Sequence, residues 1–217
     1  MLQAVMNAIR LPDLRRRILF TVAILALYRF LAFIPVPGVD LNQMRELFGG
    51  SQFGTLFSML DLFSGGAMSN FSILSMGVYP YITASIIMQL LQPIIPQLEA
   101  LAKEGEQGKQ KMNLYMHLLT IPLAALQAYS QGVLFSNQGV FSSFRFGIGN
   151  DTLQTVAMVI SMTAGTMLAV WLGEMIPESG IGQGVSIIIF GGIVARSPQN
   201  IVSIFATGNI MGVLVFL

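Results

Sequence analysis

The sequence predicts an all-α membrane protein, built as a polytopic bundle of spanning helices. Hydrophobic side chains make up 54% of its 217 residues and charged side chains only 10%, whereas a soluble domain carries about 25% charged residues. The apolar excess must face lipid, because a soluble surface needs more polar groups. Several apolar runs also approach the length of about 20 residues that a spanning helix needs.

Five apolar runs are predicted to cross the membrane, and a sixth begins at the end of the chain. The predicted spans are 18–34, 78–96, 112–133, 152–172 and 185–205, followed by the start of a sixth at 209–217. The predicted connections are a cytoplasmic N-terminal segment at 1–17, extracytoplasmic loops at 35–54 and 134–151, and cytoplasmic loops at 97–111 and 173–184. The sixth run is too short to span, which predicts a truncated chain or a partner half on a separate polypeptide.

The second passage is predicted to be discontinuous. Residues 55–77 are apolar, but they contain Asp61 and the Gly65–Gly66 pair and are too polar and too broken to span alone. Only Gly77 separates them from the next apolar run, so we expect a re-entrant half-helix followed by a full helix. Irregular backbone at membrane depth is tolerated only where it is buried in protein or lines water. This passage is therefore the predicted functional region.

The distribution of Lys and Arg predicts the orientation of the chain. Positive charges accumulate in cytoplasmic segments. Those before the first span and in the 97–111 loop are Arg10, Arg15, Arg16, Arg17, Lys103, Lys109 and Lys111. Those on the opposite side are Arg45, Arg145 and Arg196. The N-terminus is therefore predicted to be cytoplasmic.

The composition argues against several classes of protein. The chain has no Cys, which excludes disulfides and thiolate chemistry, and its net charge of +1 argues against nucleic-acid binding. A secondary transporter needs a charged or strongly polar site near the midplane, but spans 112–133 and 152–172 contain no Asp, Glu, Lys or Arg. An intramembrane enzyme needs a Ser/Lys, paired-Asp or His–metal group, which the spans do not contain. We therefore predict no catalytic residues, no metal and no cofactor.

A few polar residues near the spans receive structural interpretations. Arg29 is expected to be paired or to snorkel towards the interface. His117 has no carboxylate nearby in the sequence, so an interfacial position is expected rather than a proton relay. Glu174 and Glu178 would share a helical face, but Pro177 disfavours a helix there, and a solvated loop is expected. A GxGxG run that follows lacks the strand and the Lys of a phosphate loop.

Five stretches of the sequence resemble one known family. The most characteristic are SILSMGVYPYITASIIMQ and WLGEMIPESGIGQGVSIIIFGGIVA. Both closely resemble stretches of the SecY family of protein-conducting channels, and the same family is matched in order by RRRILFTVAILALYRFLAFIPVPGVD, LFSGGAMSNFSI and KEGEQGKQK. The resemblance implies the N-terminal half of an inverted-repeat channel, with about five spans and a re-entrant plug helix. Small departures are Gln183 (Asn in most of the family), His117 and Pro122.

The resemblance also implies the site residues of this half. It makes residues 61–77 the plug segment, a short helix that fills the extracytoplasmic funnel. Its implied members are Asp61, Phe63, Gly65, Gly66, Asn70 and Phe71. The implied apolar pore ring consists of Val78, Ile82, Val185 and Ile189. The implied polar positions of a lateral gate are Thr83 and Gln127.

Taken without the resemblance, these residues have simpler interpretations. Aliphatic pairs four residues apart are ordinary helix packing, and single polar residues in spans commonly make helix–helix hydrogen bonds. Glycine pairs also form tight turns. The residue types nevertheless suit a pore, since a narrow Ile/Val constriction dewets and holds no ion.

The resemblance finally implies partners and a location. The expected partners are SecE-like and SecG-like small membrane subunits, and a SecA-like motor ATPase or a ribosome that supplies the energy. The expected cargo is signal peptides and nascent chains, which pass through the pore or leave sideways into the lipid bilayer. The expected location is the bacterial cytoplasmic membrane.

Overall fold

A computed structural model describes residues 12–50, 61, 64–141 and 150–206 of the chain. The helices are α1 (Pro12–Leu31), α2 (Leu41–Gly50), α3 (Tyr79–Leu91), α4 (Pro96–Lys103), α5 (Glu106–Ser136), α6 (Asn150–Ser179) and α7 (Gly184–Ala206). Within these described ranges the only β feature is an isolated antiparallel bridge between Pro35 and Ser72. The prediction of an all-α fold is confirmed. The predicted start of a sixth span, 209–217, lies outside the described residues.

Helix α1 begins within the segment predicted as a cytoplasmic N-terminus. Pro12 occupies the first helical position, where its missing N–H costs no hydrogen bond. Asp13 lies in the first turn, where negative charge is favoured. The apolar run 18–34 therefore marks the part of the chain that suits lipid, not the ends of the helix.

Helix α2 lies in the segment 35–54, for which the sequence predicted only a loop. The carboxylate Oδ1 of Asp40 accepts hydrogen bonds from the N–H groups of Asn42 at 2.9 Å and Gln43 at 3.4 Å. These bonds satisfy N–H groups at the helix start that have no partner within the helix. The N–H of Asp40 donates to the carbonyl of Val140 at 3.2 Å, which joins this helix to the segment after α5.

Helices α4 and α5 occupy most of the segment 97–111, which was predicted to be a cytoplasmic loop. Ion pairs at helical spacing support them, with Lys103 2.6 Å from Glu99 in α4. Gly105, whose φ is 75°, lies in the short connection between the two helices. Charge in this segment therefore indicates contact with water but not the absence of a helix.

Helix α6 continues through Pro177 to Ser179, so the prediction that Pro177 disfavours a helix here is wrong. Proline removes the hydrogen bond to the carbonyl four residues earlier, which belongs to Gly173. That carbonyl packs against Gly184, where any side chain would overlap it. Ile176 is fully buried, and its packing keeps the last turn of α6 in place.

The helices pack around two apolar clusters. The first includes Phe71 and Phe135, and the second includes Leu172 and Ile188. Helix α5 packs against α3, α4 and α6, while α6 also packs against α1 and α7. Residues of the plug segment contribute to both clusters, so this segment lies inside the bundle.

Two described helices are long and apolar enough to cross a bilayer, at Glu106–Ser136 and Thr152–Ser179. Helix α3 has 13 residues, and at about 1.5 Å per residue it cannot cross a hydrocarbon core of about 30 Å by itself. The count of five spans stays a prediction. The short α3 follows residues 64–78, which form turns and an isolated bridge.

Candidate functional site

The plug segment forms consecutive turns from residue 64 onwards, apart from the bridge at Ser72, while residue 61 is helical. The prediction of a plug helix is therefore wrong for residues 64–77. Three glycines of the segment have positive φ, which a right-handed helix does not accommodate: Gly65 at 66°, Gly66 at 89° and Gly77 at 53°. The remaining predicted member, Phe63, lies outside the described residues.

Asp61 is fully buried and organises the first part of the plug segment. Its Oδ1 accepts hydrogen bonds from the N–H of Ser69 at 2.8 Å and from the hydroxyl of Ser64 at 3.4 Å. Its backbone carbonyl accepts a bond from the N–H of Gly66 at 2.9 Å. The Asn70 amide donates to the Gly66 carbonyl at 3.4 Å. The polar groups that make this passage unsuited to span alone thus bond to one another within it.

Phe71 anchors the middle of the plug segment. Its fully buried ring lies edge-on to Phe135, at 5.1 Å between centroids, and to Phe141, at 5.2 Å. Its carbonyl accepts a hydrogen bond from the N–H of Val36 at 3.0 Å, beside the bridge at Ser72. This part of the segment is therefore attached both to the chain that leaves α1 and to the end of α5.

The chain then runs along α5, from the last part of that helix towards its first part, before α3 begins. Ser75 donates to the side-chain oxygen of Gln131 at 3.5 Å, in the last part of α5. Tyr81, six positions later at the start of α3, donates to Asn113 at 3.3 Å, in the first part of α5. Helix α3 therefore starts within the bundle, after the turns that end at residue 78.

The four candidate ring residues converge on the second apolar cluster. Val78 is buried within it, and Ile82, Val185 and Ile189 are half-buried against it. The first two lie at the start of α3 and the other two near the start of α7. Leu74 of the plug segment belongs to the same cluster. The structure thus brings these residues to one region, while their role as a pore ring stays a prediction.

The two candidate gate residues lie on neighbouring helices, Thr83 on α3 and Gln127 on α5, and both are half-buried. The hydroxyl of Thr83 donates to the carbonyl of Tyr79 at 3.1 Å, within its own helix. A bond within one helix does not test a role at a gate, so that role stays a prediction.

Comparison with known proteins identifies the family. The family model described as SecY matches residues 72–217, a range that contains all four ring candidates and both gate candidates. The chain belongs to the SecY family. The resemblance inferred from five stretches of the sequence is confirmed.

Curated SecY-family relatives match almost the whole chain. The "Protein translocase subunit SecY" of Streptomyces scabiei is 41% identical over 220 residues, which cover 98% of this chain and 50% of that protein. The protein of the same name from Mycobacterium bovis is 44% identical over 205 residues, covering 92% of this chain and 46% of its own length. The chain thus spans about half the length of the curated relatives it matches.

Solved structures support the fold. A chain described as "The structure of a protein conducting channel" matches with a TM-score of 0.54 and 19% identity, over 85% of this chain and 37% of its own. The Sec61 chain of a canine ribosome-channel complex from the endoplasmic reticulum gives the same values. At this identity the likeness concerns the SecY-type helical fold alone.

Arg29 is paired, which is one of the two interpretations that the sequence left open. Its guanidinium donates a hydrogen bond to the carbonyl of Gly65 in the plug segment. It also lies 5.0 Å from the centroid of the Phe33 ring, within the range of a cation–π interaction. The charge of Arg29 is therefore directed into the bundle and towards the plug segment.

His117 has a carboxylate partner, so the expectation that it lacks one is wrong. Its Nε2 lies 3.0 Å from Oε1 of Glu174, and the amide of Asn113 donates to the same oxygen at 3.0 Å. The His117 Nδ1 lies 2.8 Å from the Asn113 carbonyl. With the bond from Tyr81 to Asn113, these four residues form a polar clamp that joins α3, α5 and α6.

The sequence did not predict the polar clamp, because the predicted spans place Tyr81 far from its other members. Tyr81 lies near the start of the predicted span 78–96, which would be its extracytoplasmic end. His117 and Glu174 lie near the predicted cytoplasmic ends of their spans. The turns of residues 64–78 carry the start of α3 along α5 instead. Glu178, which shares the helix with Glu174, stays exposed.

Proposed function

We propose that this chain forms the N-terminal half of the pore subunit of a Sec-type protein translocation channel. The channel passes unfolded secretory proteins across the bacterial cytoplasmic membrane and releases membrane proteins sideways into lipid. The chain itself is not an enzyme in this proposal. Family membership and a fold shared with protein-conducting channels support the proposal.

The observation that carries the proposal is a buried, non-helical segment inside a bundle of apolar helices. Residues 64–68 and 74–78 are buried, and α1, α5, α6 and α7 all contact the plug segment. Irregular backbone at membrane depth is tolerated only within protein or beside water. A segment of turns that bonds mainly to itself is suited to leave its place as a unit, and so to act as a stopper.

The ring candidates provide the second part of the proposal. Val78, Ile82, Val185 and Ile189 would form this half's share of an aliphatic constriction at the second apolar cluster. Aliphatic side chains resist ion passage when the opening is narrow and dry. They also make no directional bonds, so they close around a chain of any sequence without trapping it.

The gate and the partners complete the proposal. Thr83 and Gln127 would lie at a seam between this half and the second half, where polar groups make the closed seam less stable than an apolar one. An apolar signal peptide would then leave through this seam into lipid. SecE-like and SecG-like subunits would support the channel, and a SecA-like motor or a ribosome would drive transport.

Site-specific crosslinking tests the proposal. A single Cys at Ile82 or Ile189, placed in the assembled full-length channel, is expected to crosslink to a secretory chain stalled during passage. The absence of native Cys in this half makes each introduced thiol unique within it. The measurement is the yield of crosslinked product on a gel.

Leu153→Cys provides a matched control, since this aliphatic residue lies exposed on α6 and is 73% accessible. It is expected to give no crosslink to the stalled chain. If neither Ile82 nor Ile189 crosslinks, or if Leu153 crosslinks equally well, the ring assignment is wrong.

A further inference from the structure

We propose that Arg29 of α1 and Gly192 of α7 form a seat that holds the plug segment in place through Gly65. We call these three residues the plug seat. The inference rests on the proposed channel function and identifies the residues that position its stopper.

The first contact of the plug seat is electrostatic. The Arg29 guanidinium donates to the Gly65 carbonyl and is itself half-buried over the Phe33 ring. A guanidinium is permanently charged, and hydrogen bonds from charged donors are stronger than neutral ones, particularly away from water. A charged group within a predicted span is costly unless it has such a role.

The second contact is a close approach of two backbones. A Cβ atom on Gly65 would lie 2.7 Å from the Cα of Gly192, and a Cβ on Gly192 would lie 3.2 Å from the Cα of Gly65. Gly65 also has a φ of 66°, a conformation that favours glycine. A side chain at either position would push the plug segment away from α7.

Both contacts act at Gly65, in the first part of the plug segment. The middle of the segment is attached separately, by Phe71 and Ser72, to the chain that leaves α1. Loss of the plug seat would therefore release the part around Gly65 while the part around Phe71 remains attached. The plug segment would then move out of its place while it remains attached to the bundle.

The position of Gly192 links the plug seat to the pore. Gly192 follows Ile189 by three residues on α7, so the two lie on the same face of the helix. A translocating chain that displaces Ile189 outward also moves Gly192 away from Gly65. Entry of cargo into the ring thus loosens the seat.

The test measures resting ion conductance per channel in proteoliposomes that contain the assembled full-length channel. Arg29→Met removes the donor and the charge at similar length, and it is expected to raise resting conductance about tenfold or more, the effect of losing one charged hydrogen bond. Arg29→Lys retains a charged donor and is expected to keep most of the seal. Gly192→Ala is expected to leak to a smaller extent.

Gly191→Ala is the matched control for Gly192→Ala. The atoms nearest to a Cβ at Gly191 belong to the side chain of Leu25, which can move aside, whereas at Gly192 the nearest atoms belong to the backbone of the plug segment. The control is expected to seal like the unmodified channel. A merely structural role would lower channel abundance equally in both variants without raising conductance per channel.

Two results would overturn the plug seat. The first is an Arg29→Met channel that assembles and seals as tightly as the unmodified one; if Arg29→Met does not assemble, Gly192→Ala decides instead. The second is equal leak in Gly191→Ala and Gly192→Ala. Crosslinking at Ile82 and Ile189 separates the two proposals. Crosslinks at these positions, together with unchanged leak in the Arg29 and Gly192 variants, would reject the plug seat alone. Missing crosslinks would reject both the proposed channel function and the plug seat that rests on it.

Discussion

At the residue scale, glycines determine where the backbone segments of this bundle meet. At Gly165 on α6, any Cβ atom would overlap the carbonyl of Ile73 in the plug segment. A Cβ atom at Gly184 would likewise overlap the carbonyl of Gly173. Such contacts depend on which segments meet in three dimensions, so the sequence shows the glycines but not their neighbours.

Polar pairs inside the bundle are the second feature at this scale. The polar clamp joins three helices through His117, Glu174, Asn113 and Tyr81. Hydrogen bonds between membrane helices contribute about 0.6 to 2 kcal/mol each. Because the clamp ties α3 to α5 and α6, we expect it to keep these helices together while other parts of the channel move.

A double-mutant cycle measures the central pair of the clamp. His117→Ala and Glu174→Ala are each expected to destabilise the protein, with a coupling free energy of about 1 kcal/mol between them. Their side chains are only 24% and 32% exposed, so water screens the pair weakly. The measurement is the free energy of unfolding of the single and double variants in detergent micelles.

The exposed ion pair between Lys109 and Glu106 is the control for this cycle. Its side chains are 72% and 82% accessible, and exposed pairs contribute little to stability. The same cycle there is expected to give a coupling near zero. Equal coupling at both pairs would contradict a special role for the clamp.

At the element scale, the apolar pattern predicts helices well and their ends poorly. Helix α7, at Gly184–Ala206, agrees closely with the predicted span 185–205. Helix α5 starts at Glu106 instead of 112, since charged residues are acceptable in a helix that leaves the membrane. Hydrophobicity reports the part in lipid, whereas hydrogen bonds and capping determine where the helix ends.

The plug segment shows why an element can be located correctly and still have the wrong conformation. Its polar and glycine-rich composition indicates that it cannot span. Its turns depend on positive φ at glycines and on φ of 41° at Phe71, which composition does not reveal. Pairing of this backbone with the chain after α1 is a long-range contact, and no local pattern in the sequence predicts it.

Shortening this element is expected to open the resting channel. Deletion of residues 62–70 removes the part that reaches the plug seat and retains Phe71 and Ser72, which attach the rest. Resting ion leak through the full-length channel is expected to rise, because nothing then fills the space beside α7. Leak is measured in proteoliposomes at equal channel abundance, and an unchanged leak would show that this segment is not a stopper.

At the scale of the whole molecule, the described helices present apolar side chains outwards. Large exposed examples are Leu19, Phe30, Leu118, Leu153 and Trp171. Such a surface suits contact with lipid or with another membrane segment. Since the chain spans about half the length of its curated relatives, we expect the second half of the channel to cover part of this surface.

The orientation of the molecule is the last prediction, and helix α5 makes it testable. This helix has 31 residues, or about 46 Å at 1.5 Å per residue, which exceeds a hydrocarbon core of about 30 Å. Exposed Gln107 lies in the first turn of α5 and exposed Gln138 lies just after its last turn, so the two must reach water on opposite sides if α5 spans. The positive charges before the first predicted span, 18–34, and those near Gln107 predict that Gln107 faces the cytoplasm. In single-Cys variants, a membrane-impermeant maleimide added outside intact cells is expected to label Gln138→Cys but neither Gln107→Cys nor Glu178→Cys.

Lysed cells provide the control, since all three thiols should then react. Labelling of Gln107→Cys from outside would reverse the predicted orientation, and labelling of Glu178→Cys alone would show that α6 does not cross as expected.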